Sequence, residues 1–110
     1  MKLGILMTGG VMSQSTRSAL RIAEAALRKG VEVELFLMDD GIYAVKPGKR
    51  TAAADTLAAL TEKGARVALC ALNAEQRGVT AGESLPGVLF GSQYDLALLI
   101  SSADRFLYFG

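Results

Sequence analysis

The one strong nucleophile of the chain is Cys70, its single cysteine. It closes the apolar run Arg66-Val67-Ala68-Leu69-Cys70 and opens Ala71-Leu72-Asn73-Ala74-Glu75-Gln76-Arg77-Gly78, where a strand hands over to a helix. A thiol at the carboxyl end of a strand sits on the edge of an open α/β sheet where ligands bind, and a following helix aims free amide N–H groups toward it. Both effects favour the nucleophilic thiolate. Asn73 and Gln76 are the nearest neutral polar side chains. Arg77, about two helical turns on, reaches the sulfur only if the chain folds back or a neighbouring subunit intervenes. The plainer alternative is that Cys70 is a small core side chain, cysteine being among the most buried residue types.

Four other patterns have residue types that can do chemistry. Thr8-Gly9-Gly10 before a helix can cradle a nucleotide or flavin phosphate on backbone amides, or can be a tight strand-to-helix turn without GxGxxG spacing or a Walker lysine. Asp39-Asp40-Gly41 offers two carboxylates to a cation, or makes a β-turn. Lys46, Lys49 and Arg50 form a small basic cluster on a loop, able to meet an acidic partner or simply to be solvated. Phe106, Tyr108 and Phe109 have the stacking faces of a nucleic-acid module but no basic surroundings, which favours a core strand.

Twelve Lys and Arg against eleven Asp and Glu leave a formal net charge of +1. That balance gives no broad field for steering toward nucleic acid or an anionic membrane. Leu3 to Met7 is too short for a signal-peptide core, and no apolar run approaches a membrane span. A lone cysteine fits a reducing compartment, so the chain is expected to be soluble and cytoplasmic. With no histidine and one cysteine, a tetrahedral zinc site is close to excluded, and neither metal nor cofactor is expected. The 110 residues suit one domain spanning 1–110.

The elements that must position Cys70 follow from periodicity. Leu3 to Met7 and Val31 to Leu37 read as strands. Between them Ala19, Leu20, Ile22, Ala23, Ala26 and Leu27 form one broad apolar helix face, capped by Ser13 or Ser15 and stopped by Gly30. Met38 to Gly41 reads as a turn, and the connection beyond it as long and partly irregular. Thr51 caps a second helix from Ala52 to Lys63, with Ala53, Leu57 and Leu60 on one face and Gly64 ending it. Leu96 to Ile100 is apolar throughout. Leu96, Leu99, Ile100 and Ala103 fit helical spacing, and Arg105 to Phe109 makes a closing strand. Two adjacent strands there would form only an antiparallel hairpin. The Leu96 to Ile100 run is also suited to a subunit interface. The alternation predicts an α/β domain around a mainly parallel sheet of four or five strands.

Taken in order, these residues resemble a known family. The opening strand with its glycine turn and helix, Phe36-Leu37-Met38-Asp39-Asp40-Gly41, Cys70 seven residues before Arg77-Gly78-Val79, and Ala103-Asp104-Arg105-Phe106-Leu107-Tyr108-Phe109 are similar to the DsrE/DsrF/TusD-like sulfur-relay family across essentially the whole chain. The resemblance implies a three-layer α/β/α fold, homo- or hetero-oligomers built as trimers or hexamers, and a cysteine that carries sulfur as a persulfide from a donor protein to an acceptor. On this basis Cys70 is the sulfur carrier, and Asp39 and Asp40 shape the pocket mouth beside it. No direct nucleic-acid or membrane partner is implied. Three readings stay open: a carrier using Cys70, a non-catalytic binding or assembly subunit with an inert cysteine, and a nucleotide- or flavin-phosphate-binding domain using Thr8 to Gly10.

Overall fold

A computed structural model describes residues 1–48 and 50–110. Lys49 of the basic loop therefore lies outside the described residues. Strand β1 (Lys2–Met7) leads to helix α1 (Gln14–Arg28), β2 (Glu32–Leu37), a 3-10 helix (Asp39–Val45), α2 (Ala52–Glu62) and β3 (Arg66–Cys70). The short helix α3 (Ala71–Gln76), a 3-10 turn (Ala81–Glu83), β4 (Leu89–Gly91), α4 (Gln93–Ser102) and β5 (Arg105–Phe109) complete the chain. The sheet has five strands in the order β4-β3-β2-β1-β5, every pair parallel.

This order explains the layers. From β1 to β4 the chain steps one strand at a time in one direction, then returns past the whole sheet to place β5 beside β1. Right-handed crossovers put connections of opposite direction on opposite faces. Accordingly α1, α2 and α3 cover one face through Ala19, Leu20, Ala23, Leu57, Leu60 and Ala74, packed on Ile5, Met7, Val33, Leu35, Val67 and Leu69. The opposite face is covered by α4, whose Leu99 packs with Phe36, Ala68 and Cys70. The result is the expected three-layer α/β/α fold.

Local signals set most boundaries. The Ser13 hydroxyl accepts the Thr16 N–H at 3.2 Å, and the Thr51 hydroxyl accepts the Ala54 N–H at 3.1 Å. Gly30 and Gly64 end α1 and α2 at φ values of +79° and +102°, which glycine adopts without a Cβ clash. Leu96 to Ile100 is helical, inside an α4 that begins at Gln93 behind a capping box of Ser92 and Asp95.

Three expectations need correction, and one strand is added to those read from the sequence. Met38 to Gly41 does not make a simple turn: it enters a 3-10 helix that buries Ile42, Ala44 and Val45 in the larger core. Leu89–Gly91 is a strand. Ile22, placed on the apolar face of α1, is 38% exposed. The aromatic segment at 105–109 is an edge strand rather than a core strand, with Tyr108 exposed and Phe106 and Phe109 half-buried.

Candidate functional site

Side chains alternate across a strand, so Arg66, Ala68 and Cys70 share one face of β3. Phe36 lies on that same face of neighbouring β2, with which Ala68 is in register. Cys70 is the last residue of β3 and the N-cap of α3, with extended dihedrals (φ −79°, ψ 114°). Its side chain makes no capping hydrogen bond and joins the apolar cluster of Phe36, Ala68 and Leu99. Leu6, Met38, Leu96, Ala103 and Phe106 pack around that cluster. The expected rim thiol, open to solvent in front of a helix, is thus corrected. The position is the predicted one, but the residue is 4% exposed and turned toward α4.

Three of the predicted supporting residues come together beside it. Asn73, one turn into α3, accepts the Asp39 N–H through Oδ1 at 2.8 Å. Arg77 folds back along the helix, its Nη1 donating to the Asn73 carbonyl at 3.3 Å and its Nη2 lying 3.9 Å from the Asp39 carboxylate. The 3-10 helix after β2 is therefore tied to the helix that follows Cys70. Asp40 and Gln76 are exposed and stand outside this network. Asp39 and Asp40 do not converge as a cation pair, because Asp39 is turned toward Arg77.

Thr8 is not part of this constellation. It directly follows β1, which β2 separates from β3, and its hydroxyl bonds the Tyr108 hydroxyl at 2.9 Å. In the turn that follows, Ser13 bonds Ser15 and Thr16, Thr16 donates to the Gly10 carbonyl and Ser15 to the Gly110 carbonyl. Each of these hydroxyls has a partner within the chain. In the basic loop, Arg50 pairs with Asp55 at 2.6 Å, and the Lys46 ammonium lies 5.5 Å from the centre of the Tyr43 ring.

The sequence reading missed a cleft of about 410 Å³ on the α4 face of the sheet. Lys2, Glu34 and Arg66 line its floor, and Asp95, Leu98 and Leu99 its α4 side. The Glu34 carboxylate lies 3.2 Å from Lys2 Nζ and 3.9 Å from Arg66 Nε. The cleft also touches Ala68 and Gly91. Ala68 and Leu99 belong to the apolar cluster of Cys70, and Gly91 faces Cys70 in the β3–β4 ladder. It therefore ends against the wall around the thiol. Strand parity was the available signal, since it places Lys2, Glu34 and Arg66 on the Cys70 side of the sheet.

A five-stranded parallel sheet between helical layers, with one cysteine at the carboxyl end of its third strand, defines a small α/β/α domain with a single thiol. The chain belongs to the DsrE/DsrF-like family, a sulfur-relay-related family whose profile matches residues 1–109. It is 34% identical to protein YchN of Escherichia coli K12 over 104 residues, 88% of either chain. It is also 30% identical over 96 residues to the uncharacterized protein MK0008 of Methanopyrus kandleri, covering 84% of this chain and 79% of that one. The crystal structure of E. coli YchN superposes with a TM-score of 0.87 at 31% identity, covering 98% of both chains. MTH1491 of Methanobacterium thermoautotrophicum, a protein of unknown function, shares the fold at a TM-score of 0.76 and 14% identity, over 96% of this chain and 97% of that one.

Proposed function

We propose that this protein is a sulfur carrier that accepts sulfur as a persulfide on Cys70 and passes it to another protein. The observation that carries this reading is the place of the sole cysteine, at the carboxyl end of β3 and against the wall of the cleft beneath α4, in a chain of the DsrE/DsrF-like family. In the first step the Cys70 thiolate attacks the outer sulfur of a donor's persulfide. The donor's S–S bond breaks, its inner sulfur leaves as a thiolate with the bonding pair, and a new S–S bond forms on Cys70. Delivery repeats the exchange with the acceptor's thiolate as attacker, so neither an outside oxidant nor a cofactor is needed. Because Cys70 is covered, each exchange requires its apolar surroundings to part.

The test is to incubate the purified protein with a persulfide donor and weigh it intact. One added sulfur is expected, absent in Cys70→Ser and discharged by an acceptor thiol. Unchanged mass with a donor that loads free thiols would leave the second reading, a non-catalytic assembly subunit, which the burial of Cys70 favours. In either reading the chain works as an oligomer. Tyr94, Leu98 and Ile100 of α4 are exposed apolar side chains suited to another subunit, a second copy or a sister chain of the same fold.

A further inference from the structure

Asp39 is the one non-glycine residue with positive φ among the described residues, at +49°. That conformation is disfavoured for residues with a Cβ, though less for Asp and Asn than for others, and is kept where surrounding contacts hold it. The enforcing contact is across the chain: the Asp39 N–H donates to Asn73 Oδ1 at 2.8 Å, and Asn73 lies three positions beyond Cys70. The residue before Asp39 is Met38, whose side chain packs against the apolar cluster containing Cys70. On its other side, Gly41 presses so closely on β1 that a Cβ there would collide with the Met7 carbonyl. Met38 itself donates its N–H to that carbonyl at 3.1 Å. The backbone around Met38 is thus held from β1 on one side and from α3 on the other.

We infer that Asn73 is a positioning residue, a clasp that holds Asp39 in its left-handed conformation and so keeps Met38 packed over the Cys70 cluster. The inference rests on the reading of Cys70 as the sulfur carrier for its purpose, since the clasp then sets how often the thiol becomes reachable. Arg77 supports it, bonding the Asn73 carbonyl and facing the Asp39 carboxylate. When the Asn73 bond breaks, the Asp39 N–H loses its acceptor and the residue is free to return to an ordinary negative φ, which redirects the chain at Met38. Local opening of this kind proceeds without global unfolding and is insensitive to denaturant, whereas opening by unfolding rises steeply with it.

The experiment is the rate of iodoacetamide alkylation of Cys70 in the native protein across low urea concentrations, for wild type, Asn73→Ala and Thr51→Ala. Thr51→Ala removes the cap of α2, away from Cys70, and serves as a variant destabilised elsewhere. Asn73→Ala is expected to raise the urea-independent rate roughly fivefold or more, the effect of losing one sheltered hydrogen bond. Thr51→Ala is expected to alter just the urea-dependent branch. A urea-independent rate for Asn73→Ala within about twofold of wild type, or an increase confined to the branch shared with Thr51→Ala, would overturn the clasp. Alkylation needs no sulfur donor, so its outcome is separate from that of the persulfide experiment. Faster labelling without sulfur loading keeps the clasp and removes the carrier.

Discussion

Leu99 of α4 lies over Gly4 of β1, so closely that a Cβ on Gly4 would stand 3.0 Å from Leu99 Cδ1 and 3.0 Å from Phe106 Cδ1. Leu99 is the buried anchor of α4 and a member of the Cys70 cluster. The missing side chain at Gly4 thus lets the one helix on this face sit down on the sheet. Gly4→Ala should force Leu99 or Phe106 aside at a cost of about 1–3 kcal/mol. Urea denaturation would register this as a lower midpoint with an unchanged slope. An unchanged midpoint would show that the Phe106 ring swings away freely and that the contact does not fix α4.

Glu34 is the negative centre of the cleft floor, between Lys2 at 3.2 Å and Arg66 at 3.9 Å, with its side chain 14% exposed. Partial burial places it between exposed pairs, which contribute little, and buried ones, whose disruption is expensive. Glu34→Gln keeps the shape but leaves two cations facing each other, and should destabilise the protein by about 1 kcal/mol. The difference between wild type and variant should narrow in about 1 M salt, where exposed charge interactions are largely screened. Equal differences in low and high salt would mean that the glutamate acts here through packing alone.

How far the sequence disclosed this arrangement depended on whether a feature was local. The caps at Ser13 and Thr51, the stops at Gly30 and Gly64, and β3 ending at Cys70 are each encoded within a few residues, and the structure has them there. The helical spacing of Leu96 and Leu99 likewise favoured a helix over a strand, and the segment is helical. What stayed hidden needs distant segments to meet. Leu89–Gly91 is too short to show alternation and becomes a strand by pairing with β3. The cover over Cys70 comes from Phe36 of β2, Met38 in the link to the 3-10 helix, and Leu99 of α4. Asn73 and Asp39 are 34 residues apart, so nothing in either neighbourhood announces their bond.

The outer side of α4 yields the last prediction. The helix is rich in apolar residues around its circumference, yet it fully buries Leu99 alone, leaving Tyr94 70%, Leu98 48% and Ile100 49% exposed. A helix that is apolar on several sides is ordinarily covered on several sides, and the proposed oligomer would cover this one. The wild-type protein should therefore sediment at a multiple of its 11.6 kDa chain mass. Ile100→Glu should lower that multiple, because it sets a carboxylate into an apolar contact. In a lone chain the same carboxylate would be half in water and cost little, so circular dichroism of the variant should match wild type. A wild-type protein that sediments as a monomer at high concentration, or a variant that keeps the full assembled mass, would show that α4 does not carry the subunit contact.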